Sequence, residues 1–456
     1  MLLRFYMVLA ILSITSDFAQ ATDDSDVMEN GTLVADVSRQ LLQIQTQHER
    51  PLASLSVAVI RNGRLVYEQA MGARYLDQRD PEKNLPAQVD TLYRVASVSK
   101  MVTAIAVMRL CEQGRLNLDT DIGTYLGYPV RHPNFPQVAI TLRMLLSHTS
   151  SLRDDGGYNF PAQVTLRNVF NLPGVWETSS SAQYAPGQFF SYVNLNWGVI
   201  GSVMEAVTGQ RFDVLMSELV LQPLQIQGSF HPENLTPENI VRLATLYRKQ
   251  KDEQWNPDGP WYPQVDDRGA QAAQTTPKRI FLQTYQPGTN ATLFSPQGGL
   301  RISVQGLSHI MLMLMQDGEF NGRRFLSVDS LRQLTHPEWR YETRSGAVGS
   351  NGDNYHGLFL SWGLGMQVFT GTRLSVGGDQ LTLPTAKRSR GFTGVGHLGF
   401  AYGLQSAFIF DAVSRDGMIY LIGGAGDDPD KYPGQHSGLS LWEEEILAQL
   451  VRLLDD

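Results

Sequence analysis

Two periods of apolar residues run through this chain. Leu55-Ser-Val-Ala-Val-Ile60 and the run from Leu65 to Met71 have strand character, and Arg61-Asn62-Gly63-Arg64 lies between them. An Asn-Gly pair between two such runs predicts a β-hairpin. Ahead of it, Val34, Val37, Leu41, Leu42 and Ile44 fall at helical spacing, so residues 33–48 are expected as a surface helix with one buried stripe. Met101, Val102, Ala104, Ile105, Val107, Met108, Leu110 and Cys111 are apolar nearly all round, the pattern of a buried helix, and Gln113-Gly114 ends it. A short helix capped by Thr141 follows. A second buried helix runs from Trp197 to Gly209 and a third over residues 304–315. Residues 362–368, 394–400, 407–411 and 418–423 are strand-like, and residues 439–454 form a C-terminal amphipathic helix. Residues 249–277 and 370–390 show little periodicity and are expected as irregular excursions. No internal repeat or low-complexity segment is present.

The chain has 456 residues, 42% hydrophobic and 18% charged, which is ordinary for a globular protein with a sizeable core. The net charge of -8 and the absence of a basic cluster exclude a nucleic-acid partner. Residues 1–21, with Arg4, an apolar run and Ala19-Gln20-Ala21, are expected as a secretory signal, which implies a periplasmic or secreted protein with no membrane span after cleavage. The acidic residues 22–32 are expected as a disordered lead-in. Cys111 is the only cysteine, so no intrachain disulfide forms, and its apolar surroundings disfavour a nucleophilic thiolate. Scattered histidines without ligand spacing give no metal site, and no cofactor is expected.

The chemistry starts at the buried helix. Ser97 stands at its N-terminus and Lys100, three residues on, lies on the same face with its amine turned into apolar surroundings. Burial and the positive end of the helix dipole both disfavour the ammonium, so a neutral amine stands beside a hydroxyl. Tyr192 and Asn194, two apart just before the second buried helix, project from one side of an extended segment. A phenol there can exchange a proton and a carboxamide can grip a substrate amide. His397 precedes Gly399 on a strand where a glycine lets a substrate backbone come close. His148, at a serine- and threonine-rich helix exit, is expected to satisfy local backbone groups rather than to act in catalysis.

Taken in order, Ser97-Val-Ser-Lys100, Tyr192-Val-Asn194 and His397-Leu-Gly399 resemble the three motifs of the serine beta-lactamase and penicillin-binding-protein superfamily. The chain is most similar to its branch of class C beta-lactamases, D-alanyl-D-alanine carboxypeptidases and related esterases and aminopeptidases. The resemblance covers residues 33–456. It implies an α/β fold of the α+β type: an antiparallel sheet flanked by helices and built from both ends of the chain, with a mainly helical lobe at roughly residues 97–290 inserted. It implies further that Ser97 forms an acyl-enzyme, that Lys100 and Tyr192 move protons, that Asn194 orients the substrate, and that the backbone N–H groups of Ser97 and Phe400 make an oxyanion hole. The family's usual lysine is replaced by His397, charged only in part at neutral pH. This His-x-Gly form, as in D-aminopeptidases and esterases of the branch, points to a small ester or peptide amide as substrate. The alternatives are a beta-lactamase or D-Ala-D-Ala carboxypeptidase, and a non-catalytic penicillin-binding or sensor protein. The oligomeric state does not follow from the sequence.

Overall fold

The computed structural model describes residues 24–161, 163–267, 282, 284–342, 350–375 and 377–455. The expected signal segment, 1–21, lies outside the described residues. Nine strands make the main sheet: β1 (Ser54–Arg61), β2 (Arg64–Tyr75), β3 (Leu85–Pro86), β4 (Trp339–Arg340), β5 (Ser361–Trp362), β6 (Gln367–Phe369), β7 (Gly394–Ala401), β8 (Leu404–Asp411) and β9 (Asp416–Ile422). Their spatial order is β4-β5-β6-β7-β8-β9-β1-β2-β3, antiparallel throughout. The β1–β2 turn is the predicted one, with Asn62 and Gly63 both at positive φ, 52° and 73°, as a two-residue hairpin connection requires.

Alternation along β1 explains why the sheet is buried on both faces. Leu55, Val57 and Val59 join one apolar cluster with Val37 and Leu41 of helix α1 (Asp24–Thr46) and Ile446, Leu447 and Leu450 of helix α5 (Leu441–Asp455). Ala58 and Ile60 point the other way, into the larger cluster that holds helices α2 (Val98–Glu112), α3 (Leu195–Thr208) and α4 (Val304–Met315). Helices between residues 97 and 245 pack beside the sheet, and the antiparallel α+β architecture is the expected one.

Two expectations are corrected. Helix α1 begins at Asp24, inside the stretch expected as a disordered lead-in. An acidic run suits the positive end of a helix as well as it suits disorder, so composition alone does not separate them. The excursion expected from residue 249 is ordered strand up to Val265: Leu246–Lys251 pairs antiparallel with Trp261–Val265 and parallel with Gly424–Ala425. Its polar strands are paired through backbone groups, which leave no apolar alternation to read. Residues 268–277 of that stretch lie outside the described residues.

Candidate active site

The position of Ser97 is set by a short three-stranded sheet. Tyr93–Arg94 pairs with Arg301–Ile302, and Val95 N–H donates to the Leu300 carbonyl at 2.9 Å, which lays the 295–300 turn against the start of α2. Ala96, at φ +45°, turns the chain sharply into that helix, a strained conformation of the kind functional sites retain. Ser97 occupies the N-cap position, yet its hydroxyl caps nothing. It meets Lys100 Nζ instead, at 2.9 Å.

Lys100 is fully buried. Its Nζ lies 2.8 Å from Asn194 Oδ1 and 3.0 Å from the Gln297 carbonyl. Both of those atoms can only accept, so a neutral amine donates its two hydrogens to them and has its lone pair left for the Ser97 hydroxyl proton. Burial supplies the neutral form: it takes the lysine down to about 7 against a smaller upward pull from Asp154.

Asn194 is likewise at a helix N-terminus without capping its own helix. Asp154 does that work from the lobe. Its Oδ2 accepts from Asn194 N and Asn194 Nδ2 at 2.8 and 2.9 Å, and its Oδ1 accepts from Leu195 N at 2.9 Å. This fixes which way the carboxamide points, with oxygen toward Lys100. Tyr192 reaches Ser97 with its hydroxyl, and burial pushes the phenol well above its ordinary range, so it is a neutral donor. Lys100 Nζ lies 4.8 Å from the centre of the Tyr192 ring.

Strand β7 closes the site from the sheet. It pairs with β6 only through Gly394, Val395 and Gly396, so the edge from His397 onward has no strand beside it among the described residues. A side chain at Gly399 would collide with Ser406 Oγ and the Val95 carbonyl and stand 3.2 Å from Ser97 N. Glycine there keeps the space in front of that amide open, and Phe400 N follows next on the strand. The expectation of a partly charged His397 is corrected: burial, reinforced by Lys100, takes it down to about 3, and it is neutral. Its Nδ1 donates to the Leu398 carbonyl at 2.5 Å, so its buried, unpartnered Nε2 is an acceptor.

A cavity of about 870 Å3 opens from Ser97, Tyr192 and His397 across β7 toward residues 373–375, Gly377 and residues 429–443. The second irregular excursion is thus one wall of the cavity, and a buried carboxylate braces it. Asp379 accepts from the backbone N–H groups of Thr370 and Thr372 at 2.6 and 2.7 Å. Opposite, Glu444 accepts from the N–H groups of Gln435, His436 and Ser437. Gly438 N–H donates to the Gly378 carbonyl and joins the two loops.

The structure brings together all seven residues singled out from the sequence. Asp154 and the Gln297 carbonyl were missed. A cap delivered from 40 residues away and a backbone acceptor leave no local signal to read.

The model of the family described as Beta-lactamase matches residues 36–436. Esterase EstB of Burkholderia gladioli is 30% identical over 271 residues, 55% of this chain and 64% of that protein. Protein flp of Staphylococcus aureus is 26% identical over 182 residues, 39% of this chain and 35% of that protein. The chain therefore spans less than two thirds of the length of these curated relatives. Among solved structures, D-amino acid amidase from Ochrobactrum anthropi SV3 superposes with a TM-score of 0.61 at 15% identity, covering 92% of this chain and 99% of that one. The hydrolase EstCE1 superposes with 0.59 at 19% identity, covering 95% and 100%. At these identities the likeness is one of fold. The family match takes in every residue that meets at Ser97, and the chain belongs to the beta-lactamase family.

Proposed function

We propose that this chain is a serine hydrolase, secreted or periplasmic, that cleaves a small ester or peptide amide through an acyl-enzyme on Ser97. The observation that carries the reading is the amine of Lys100, whose two fixed acceptors leave its lone pair for the Ser97 proton. As Ser97 Oγ attacks the carbonyl carbon, its proton passes to Lys100 Nζ, and the carbonyl oxygen becomes an oxyanion facing the amides of Ser97 and Phe400. Collapse breaks the bond to the leaving group, which takes a proton through Tyr192. Water then attacks the acyl-enzyme by the same route in reverse and frees the acid. Asn194 orients the acyl side chain.

The neutral His397 supports an uncharged substrate. Where a lysine would hold a carboxylate, this position has a buried, uncharged imidazole and no cation. That two likenesses carry the names esterase and D-amino acid amidase fits acyl transfer from oxygen or nitrogen. Intact mass after exposure to a fluorophosphonate tests the nucleophile: one adduct, on Ser97, absent from Ser97→Ala, is expected. A short-chain ester, a chromogenic cephalosporin and a D-Ala-D-Ala peptide are then compared, with the ester turned over fastest. No adduct on folded protein would overturn the reading. An adduct together with an acyl group never released favours a penicillin-binding sensor.

A further inference from the structure

The Tyr192 ring packs against Phe359, Tyr355, Trp362 and His397, and His148 touches both that ring and the backbone on either side of it. His148 follows the short helix Leu142–Leu146, in the left-handed region at φ +58°. Its carbonyl accepts from Ser191 N–H at 2.9 Å, and its Nδ1 accepts from Val193 N–H at 2.9 Å. Its ring stacks on the phenol of Tyr192, with centroids 4.5 Å apart and planes at 23°. The amides on both sides of the tyrosine, and the tyrosine ring itself, therefore meet a single residue.

Phenylalanine would fill this space and stack as well, and the imidazole carries a burial cost that phenylalanine avoids. Because Nδ1 accepts, the ring proton is on Nε2, which is buried and has no partner among the described residues. What the imidazole adds is an acceptor for Val193 N–H at the edge of a flat face. Burial and the neighbouring Lys100 hold it well below the ordinary range of histidine, so the lone pair on Nδ1 is present at neutral pH. Lys100 Nζ is 4.8 Å from the centre of the same phenol, so a tilt of the ring moves the hydroxyl relative to both Ser97 and Lys100.

We propose that His148 is a positioning residue for Tyr192, fixing the backbone on either side of the phenol and the plane of its ring, and through them the place of the hydroxyl beside Ser97. The inference rests on the reading of Tyr192 as the proton carrier of acyl transfer.

The test is the rate at which a fluorophosphonate labels Ser97 in the full chain, followed by intact mass. Asparagine tolerates positive φ and offers Oδ1 close to the place of Nδ1, so His148→Asn keeps the backbone tie and removes the stacked ring. A folded His148→Asn chain is expected to label about 10- to 100-fold more slowly, the scale of a misplaced catalytic group. In a Tyr192→Phe chain the same substitution is expected to cost nothing further, because there is no hydroxyl left to place. A merely structural histidine would lose rate equally in both backgrounds. Labelling of His148→Asn at the wild-type rate, or a loss that adds fully to that of Tyr192→Phe, overturns the proposal. Should His148→Asn not fold, His148→Phe, which keeps a ring and lacks the acceptor, carries the comparison, and wild-type labelling by it is equally fatal. Wild-type labelling by Tyr192→Phe alone brings down the reading of Tyr192 itself, an outcome distinct from an indifferent His148.

Discussion

Keeping Lys100 uncharged has a cost that is measurable in the stability of the whole chain. Burial takes the amine from a lysine's ordinary 10.5 to about 7. Between those values the unfolded chain holds a proton that the folded chain has lost. Native stability therefore rises with pH, by up to about 1.4 kcal/mol per pH unit. Above the window neither state holds the proton and below it both do, so the slope vanishes at both ends. Across the window the wild type gains about 5 kcal/mol relative to Lys100→Met. The difference at a single pH is a poor guide, because methionine leaves Asn194 Oδ1 and the Gln297 carbonyl without their donor, at about 1–3 kcal/mol each. The signal is the pH dependence of the difference. Urea unfolding of both chains at steps between about pH 7 and pH 10 measures it. In parallel, labelling of Ser97 in the wild type is expected to rise along a limb centred near pH 7, as Lys100 becomes a base. A stability difference that stays flat with pH would show that the lysine is charged in the folded chain, and the general-base argument would fall with it.

Two further outcomes follow from the site. Asp154→Asn keeps the shape of the cap, removes the carboxylate that pulls Lys100 upward and leaves at least one of its three N–H partners without an acceptor, so the activity limb moves to lower pH and stability in urea falls by about 1–3 kcal/mol. Gly399→Ala drives a methyl group against the Val95 carbonyl and Ser406 Oγ; β7 must shift from Ser97 N, and labelling is expected to fall by about 100-fold or more with a lowered melting temperature.

Much of this was legible in the chain because the site is built from junctions that sequence marks well. Ser97 and Lys100 sit at the start of an all-round apolar helix, and α2 is buried along nearly its full length. Asn62-Gly63 announced the hairpin, and Thr141 caps its helix through Met144 N as expected. The missing parts are those that depend on tertiary proximity. Asp154 caps a helix it does not adjoin. The charge of His397 is decided by burial at 2% exposure, which the residue type does not reveal. The loops that wall the cavity are held by Asp379 and Glu444, each binding backbone amides, and so need no apolar pattern to be ordered.

The strand order also sets when Ser97 acquires its surroundings. Strand β1 lies between β2 and β9, so one of the first strands to be synthesised waits for one of the last before it has both neighbours. Such non-local pairing is slow to form and leaves a nascent chain open. The serine leaves the ribosome long before β7, which carries His397 and Gly399, and until that strand docks Lys100 lacks the low-dielectric surroundings that strip its proton. On the function proposed for Ser97, its hydroxyl remains an ordinary alcohol during synthesis and gains its reactivity only when the sheet is complete.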